Sequence, residues 1–121
     1  MSTEVSWRVE LAVNEGQLVD FLSLTVEMVE STKTERGVLS YQRFVSHDGQ
    51  TVHVYERYAD SHSALTHLQN FVERFAPRFT SMVSRRQFDV YGAPSEELKS
   101  VLVGFGATRF FGSFGNLNYW G

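Results

Sequence analysis

The stretch Val38-Leu39-Ser40-Tyr41-Gln42-Arg43-Phe44-Val45-Ser46-His47-Asp48-Gly49-Gln50-Thr51-Val52-His53-Val54-Tyr55-Glu56-Arg57-Tyr58 decides the fold. Residues 38–46 and 50–58 are rich in Val, Tyr and Phe, and His47-Asp48-Gly49-Gln50 lies between them. Asp-Gly at the centre suits a type I′ turn, in which both central residues need positive φ. That turn sets Val45 opposite Val52, Arg43 opposite Val54, Tyr41 opposite Glu56 and Leu39 opposite Tyr58. Alternation then places those eight side chains on one face of the hairpin. Ser40, Gln42, Phe44, His53, Tyr55 and Arg57 share the other face.

Upstream, Val5, Trp7, Val9, Leu11 and Val13 alternate with Ser6, Arg8, Glu10 and Ala12, the pattern of a half-buried strand. Asn14 with Gln17 three residues on reads as a capping box. Leu18, Phe21, Leu22, Thr25, Met28 and Val29 follow at helical spacing, which predicts a helix from about Glu15 to Thr34 with Gly37 as its stop. Downstream, Asp60 or Ser61 caps a second helix with the stripe Ala64, Leu65, Leu68, Phe71, Val72 and Phe75, and Pro77 ends it. Phe88–Tyr91 reads as a fourth strand stopped by Gly92, and Pro94-Ser95 opens a short helix from Glu96 to about Val103.

The order β-α-β-β-α-β is the ferredoxin-like α+β arrangement, an antiparallel sheet with both helices on one face. Residues 1–92 form this core, and residues 93–121 add a short helix and a Gly- and aromatic-rich tail packed on the same domain, with Thr108–Phe111 as a possible edge strand. Two helices cover one sheet face only. The other carries Phe44, Tyr55 and Tyr91 among Arg8, Glu10, Gln42, His53, Arg57 and Asp89, which suits either water or the sheet of a second copy. The expectation is a homodimer through that face, since a two-fold partner is the commonest solution.

Composition narrows the function. The chain has 121 residues and a net charge of −3, and its densest basic spot is Arg85-Arg86, too little to track a nucleic-acid backbone. It has no cysteine, which excludes disulfides, thiolate chemistry and Cys-ligated metals. The start Met1-Ser2-Thr3-Glu4 lacks the basic and apolar regions of a signal peptide, and no apolar run reaches the roughly 20 residues of a membrane span, so a cytoplasmic protein is expected. Of the four His, only His62 and His67 are close in sequence, and their spacing puts them on different helix faces, so no metal site is expected.

Tyr41, Arg43, Glu56 and Tyr58 share the hairpin face that points at the helices. A carboxylate buried there needs a partner, because an isolated buried charge costs several kcal/mol. The cluster is therefore either a structural clasp of the hairpin or one wall of a cavity between sheet and helices. His67 sits at the edge of the second helix stripe; it is either a packed side chain or, with an ordinary pKa near ~6.5, the best-suited general base in the chain. His62 and Asn70 read as helix surface.

Gly37, Tyr41, the run Tyr55-Glu56-Arg57-Tyr58-Ala59-Asp60, Ala64, His67 and Phe71 resemble the central signature of the antibiotic biosynthesis monooxygenase family over residues 5–92. The resemblance implies a dimeric α+β barrel and a pocket that His67 faces. The superfamily holds cofactor-free oxygenases of quinols and anthrones, haem-degrading enzymes, isomerases and members of no known activity. A cofactor-free oxygenase would use Trp7, Phe21, Phe71, Phe75 and Phe88 as walls around a small aromatic or apolar ligand. His67 would be its base, with Glu56 beside it and Tyr58, Tyr41 or Arg43 as donors to the substrate anion. The alternatives are a dimer that holds a small ligand without converting it, a haem-binding or haem-degrading member with His67 as axial ligand, and an isomerase or lyase.

Overall fold

A computed structural model describes residues 2–115 and Leu117; Tyr119, Trp120 and Gly121 of the aromatic tail lie outside the described residues. The elements are β1 (Val5–Val13), α1 (Leu18–Thr32), β2 (Val38–Val45), β3 (Thr51–Tyr58), α2 (Ser61–Arg74), α3 (Ala76–Met82), β4 (Val83–Gly92), α4 (Glu96–Gly104) and β5 (Arg109–Phe111). They build one five-stranded sheet in the order β2-β3-β1-β4-β5. The ferredoxin-like α+β fold is as the sequence implies, with an open sheet whose edges are β2 and β5. It is mixed rather than wholly antiparallel, because β5 runs parallel to β4.

The hairpin pairs as its sequence demands at Val45–Val52, Arg43–Val54 and Tyr41–Glu56. The turn itself is different. Gly49 has φ +73° and among the described residues no non-glycine has positive φ, so Asp48 is not in a type I′ turn. Gly49 N–H donates to the Ser46 carbonyl and Ser46 N–H to the Thr51 carbonyl, closing a four-residue loop in the same register. At the far end a bulge between Val38 and Ser40 sets Val38, not Leu39, against Tyr58, and Leu39 turns outward.

Helix boundaries also move. α1 begins after Gln17 with no side-chain cap, and the Asn14 amide donates instead to the Ser81 carbonyl. Its buried stripe is Phe21, Leu24, Thr25, Met28 and Thr32, which leaves Leu22 exposed. Pro77 does not end the helical region; it sits in the first turn of α3, where its missing N–H costs nothing. β4 starts five residues earlier than the Phe88 start expected from its sequence.

The core lies between the sheet and the helix layer. Val5, Trp7, Val9 and Leu11 of β1 face Phe21, Leu24 and Met28 of α1 and Ala64 and Leu68 of α2, with Leu98 and Leu102 of α4 in the same cluster. Among the described residues no helix is long and apolar enough to cross a membrane.

Candidate functional site

The site is set by the start of α2. Asp60 caps the helix, accepting a hydrogen bond from Ser63 N–H at 2.8 Å. That phase turns Ala64, His67 and Leu68 toward the sheet. His67 is only 5% exposed and lies against the β3 face that carries Glu56 and Tyr58, so it is inside the stripe and not at its edge. Gly37, with φ +84°, lies against Ser63 so closely that a Cβ there would come within 2.0 Å of Ser63 Oγ. Its carbonyl accepts from Ala59 N–H at 2.8 Å. This close approach ties the α1–β2 connection to the start of α2 and brings Glu35 to His67.

Both imidazole nitrogens meet carboxylates. His67 Nδ1 is 2.8 Å from Glu35 Oε1 and Nε2 is 3.3 Å from Glu56 Oε1. Tyr58 donates its hydroxyl to Glu56 Oε1 at 2.5 Å, and Asn70 donates to Glu35 Oε2 at 3.3 Å. Burial alone would lower the His67 pKa. The hydrogen bonds that the ring donates to Glu35 and Glu56, with the charges of those carboxylates, reverse that and lift it to about 9. The Glu35 pKa ends below its ordinary value: burial opposes ionisation, but His67, Asn70 and Arg74 outweigh it. Burial first, then the Glu56 charge, pushes both the Tyr41 and Tyr58 hydroxyls up, so both stay neutral donors. Tyr41 meets the His67 ring edge-on at 5.3 Å, and Trp7 stacks on Tyr58 at 4.8 Å.

This cluster ends a small cavity of about 50 Å³ between sheet and helices. Of the residues singled out in the sequence, Trp7, Tyr41, Glu56, His67, Phe71 and Phe88 line it, and Tyr58 reaches it through Glu56. Three do not. Phe21 and Arg43 line a separate cavity between α1 and the hairpin, and Phe75 is core beneath the Arg78 guanidinium. Asn70, expected on the helix surface, is half-buried on Glu35.

Three residues escaped the sequence reading. Glu35 lies in a connection, and only the tight glycine two residues on hints at its place. Arg85 reaches the cavity through a bulge in β4: Glu10 pairs with Gln87 but Leu11 with Arg85, which flips the alternation toward the helices. Phe105, in the turn after α4, packs on Phe71 at 6.1 Å and forms another wall. The exposed sheet face is as the alternation implies. Arg57 pairs with Glu4, His53 with Glu10, and Arg8 and Arg109 with Asp89, while Tyr91 stacks on Phe111.

The molecule is thus an open ferredoxin-like sheet with one helix layer, whose inner cavity ends in a histidine held between two carboxylates. The chain belongs to the antibiotic biosynthesis monooxygenase family, whose profile matches residues 5–85. Among solved structures it is similar to MupZ from Pseudomonas fluorescens, at 25% identity and TM-score 0.83 over 98% of this chain and 91% of that one. SnoaB, described as a cofactor-independent oxygenase from Streptomyces nogalater, shares the fold at 13% identity and TM-score 0.65, covering 78% of this chain and 96% of that one. A conserved protein from Methanosarcina mazei does so at 18% identity and TM-score 0.65, covering 74% and 91%. Among curated proteins none matches.

Proposed function

We propose that this chain is a cofactor-independent monooxygenase of a small aromatic substrate of the quinol, anthrone or polyketide kind. The observation that carries the proposal is the cluster of Glu35, His67, Glu56 and Tyr58 at the end of an aromatic cavity. Family membership and the description of SnoaB as a cofactor-independent oxygenase support it. Because His67 carries a proton at neutral pH, the base in this reading is Glu56. The Tyr58 hydrogen bond and the His67 ion pair both fall on Glu56 Oε1, which leaves Oε2 for the substrate. The His67 imidazolium and the Tyr41 hydroxyl then stabilise the substrate anion as it forms. For an anthrone, the anion reduces dioxygen: one oxygen atom converts the CH2 to a carbonyl and the other leaves as water.

The raised His67 pKa favours a second reading, an isomerase or lyase in which His67 gives a proton and Glu56 takes one without oxygen. Haem does not fit these residues, since an axial ligand needs an imidazole nitrogen lone pair and both nitrogens face carboxylates. In the same proposal residues 93–121 belong to the same unit as the core, whose cavity Phe105 helps to wall, and the protein works in the cytoplasm. Two copies pair through the exposed sheet face, whose charges are internally matched and whose half-buried rings, Tyr55 and Tyr91, gain from cover.

Oxygen uptake over hydroquinones and anthrones, without added cofactor, tests the assignment on the wild type and on Glu56→Gln and His67→Gln. Uptake that falls by roughly 10²-fold or more in Glu56→Gln supports it. Undiminished uptake in Glu56→Gln removes the base. Turnover without oxygen uptake selects the second reading, and saturable binding without turnover makes the chain a ligand-binding domain.

A further inference from the structure

Among the described residues, Arg43 Nη1 is the only buried side-chain nitrogen or oxygen with no hydrogen-bond partner. A buried donor left unpaired is destabilising, and more so when it is charged. Arg43 lines a cavity of about 240 Å³ between α1 and the hairpin, larger than the one beside His67. Its other walls are chiefly apolar, Phe21, Leu22, Val26, Phe44 and Val52 among them; Thr25, whose hydroxyl donates to the Leu22 carbonyl, also lines it, and no acidic side chain does. Leu22 and Val26 are 42% and 60% exposed, so the apolar wall continues out to the surface.

We propose that this cavity is a second binding site, for a small amphipathic anion whose carboxylate pairs with Arg43 and whose acyl chain lies along Leu22, Val26 and Phe44. Charge complementarity selects this occupant. A lone guanidinium set among apolar walls is matched by one planar anion, which it grips through two parallel hydrogen bonds, followed by a short hydrocarbon. The volume approaches the lower end of small-molecule pockets, roughly 300 Å³. Arg43 and Val54 form the strand pair next but one to Tyr41 and Glu56, so the site adjoins the acid–base cavity without sharing its polar groups. The inference stands whichever reaction that cavity performs.

Calorimetric titration with octanoate and with octanol, on the wild type, Arg43→Gln and the cavity-filling Leu22→Trp, tests it, beside thermal melting and sedimentation of each protein. Octanoate is expected to bind saturably and at least about tenfold more tightly than octanol. Arg43→Gln should lose about tenfold for octanoate alone, Leu22→Trp should lose both ligands, and Arg43→Gln should melt no lower than the wild type. Equal affinity for acid and alcohol overturns the proposal. So does an Arg43→Gln protein that melts several degrees lower, which would reveal a structural partner for the guanidinium. Arg43→Gln dissociating a dimer would make the cavity a subunit contact and overturn it too.

Discussion

His67 couples the stability of this protein to pH, and the size of the coupling follows from the geometry. Folding carries the imidazole from an ordinary pKa of 6.5 to about 9, against the desolvation that would lower it, because Glu35 and Glu56 hydrogen-bond both nitrogens. At about 1.4 kcal/mol per pH unit this is about 3 kcal/mol of stability. The folded state binds the proton more tightly, so the contribution is complete below pH 6.5, declines above it and is gone once pH passes about 9. Glu35, held below its ordinary value of 4.5, works in the opposite direction: its share is present above that pH and is lost as pH falls. The two describe one interaction and do not add. Urea unfolding from about pH 6 to about pH 10 should show the wild type losing roughly 3 kcal/mol more than His67→Gln. The imidazole Cε1 proton followed by NMR should titrate near 9. A midpoint near 6.5, or parallel stability curves for the two proteins, refutes the doubly paired imidazolium and returns His67 to the role of base.

Three further outcomes are expected. Gly37→Ala meets both a φ of +84° and a contact of 2.0 Å to Ser63 Oγ. It should cost about 1–3 kcal/mol in urea unfolding, and a Ser63→Gly background should recover only the part due to the clash. Asp89 is held down to about 2, first by Arg109, against burial, then by Arg8 and Gln87, so its contribution is present above pH 3.8 and lost as pH falls through about 2. Asp89→Asn should therefore weaken the hold on β5 at neutral pH and raise amide exchange of Tyr91 and Phe111; unchanged protection contradicts that anchor. Phe105→Ala removes a half-buried wall of the first cavity at a cost of about 2 kcal/mol. It should lower KM for bulkier quinols relative to small ones, and an unchanged ratio would mean that Phe105 does not bound the substrate.

The hairpin shows how a sequence reading survives a wrong detail. A two-residue turn at Asp48-Gly49 would close on His47 and Gln50 and the observed four-residue loop closes on Ser46 and Thr51, but both keep one register, so Tyr41 on Glu56 holds although Asp48 never enters positive φ. Leu39 escaped because the bulge beside it is set by the anchoring of Gly37 to Ala59 and Ser63, which belongs to another part of the chain. Pro77 misled because proline breaks a helix interior but suits a first turn, and only the chain beyond it decides which applies.

Period-two and helical spacing are local signals. By themselves they determined the β-α-β-β-α-β order of the core, though not α3, which face β1 and β3 turn to the helices, and that Glu56 and Tyr58 point the same way inside. They carry no information on which distant segment arrives beside a given side chain. Glu35 meets His67 across 32 residues through a loop with no periodicity, and Arg85 enters the cavity because one bulge reverses a strand's alternation. The charge on His67, and with it the division of labour in the site, depends on distances of about 3 Å between such segments. Coulomb energy and desolvation are steep functions of those distances, so the tertiary structure alone decided it.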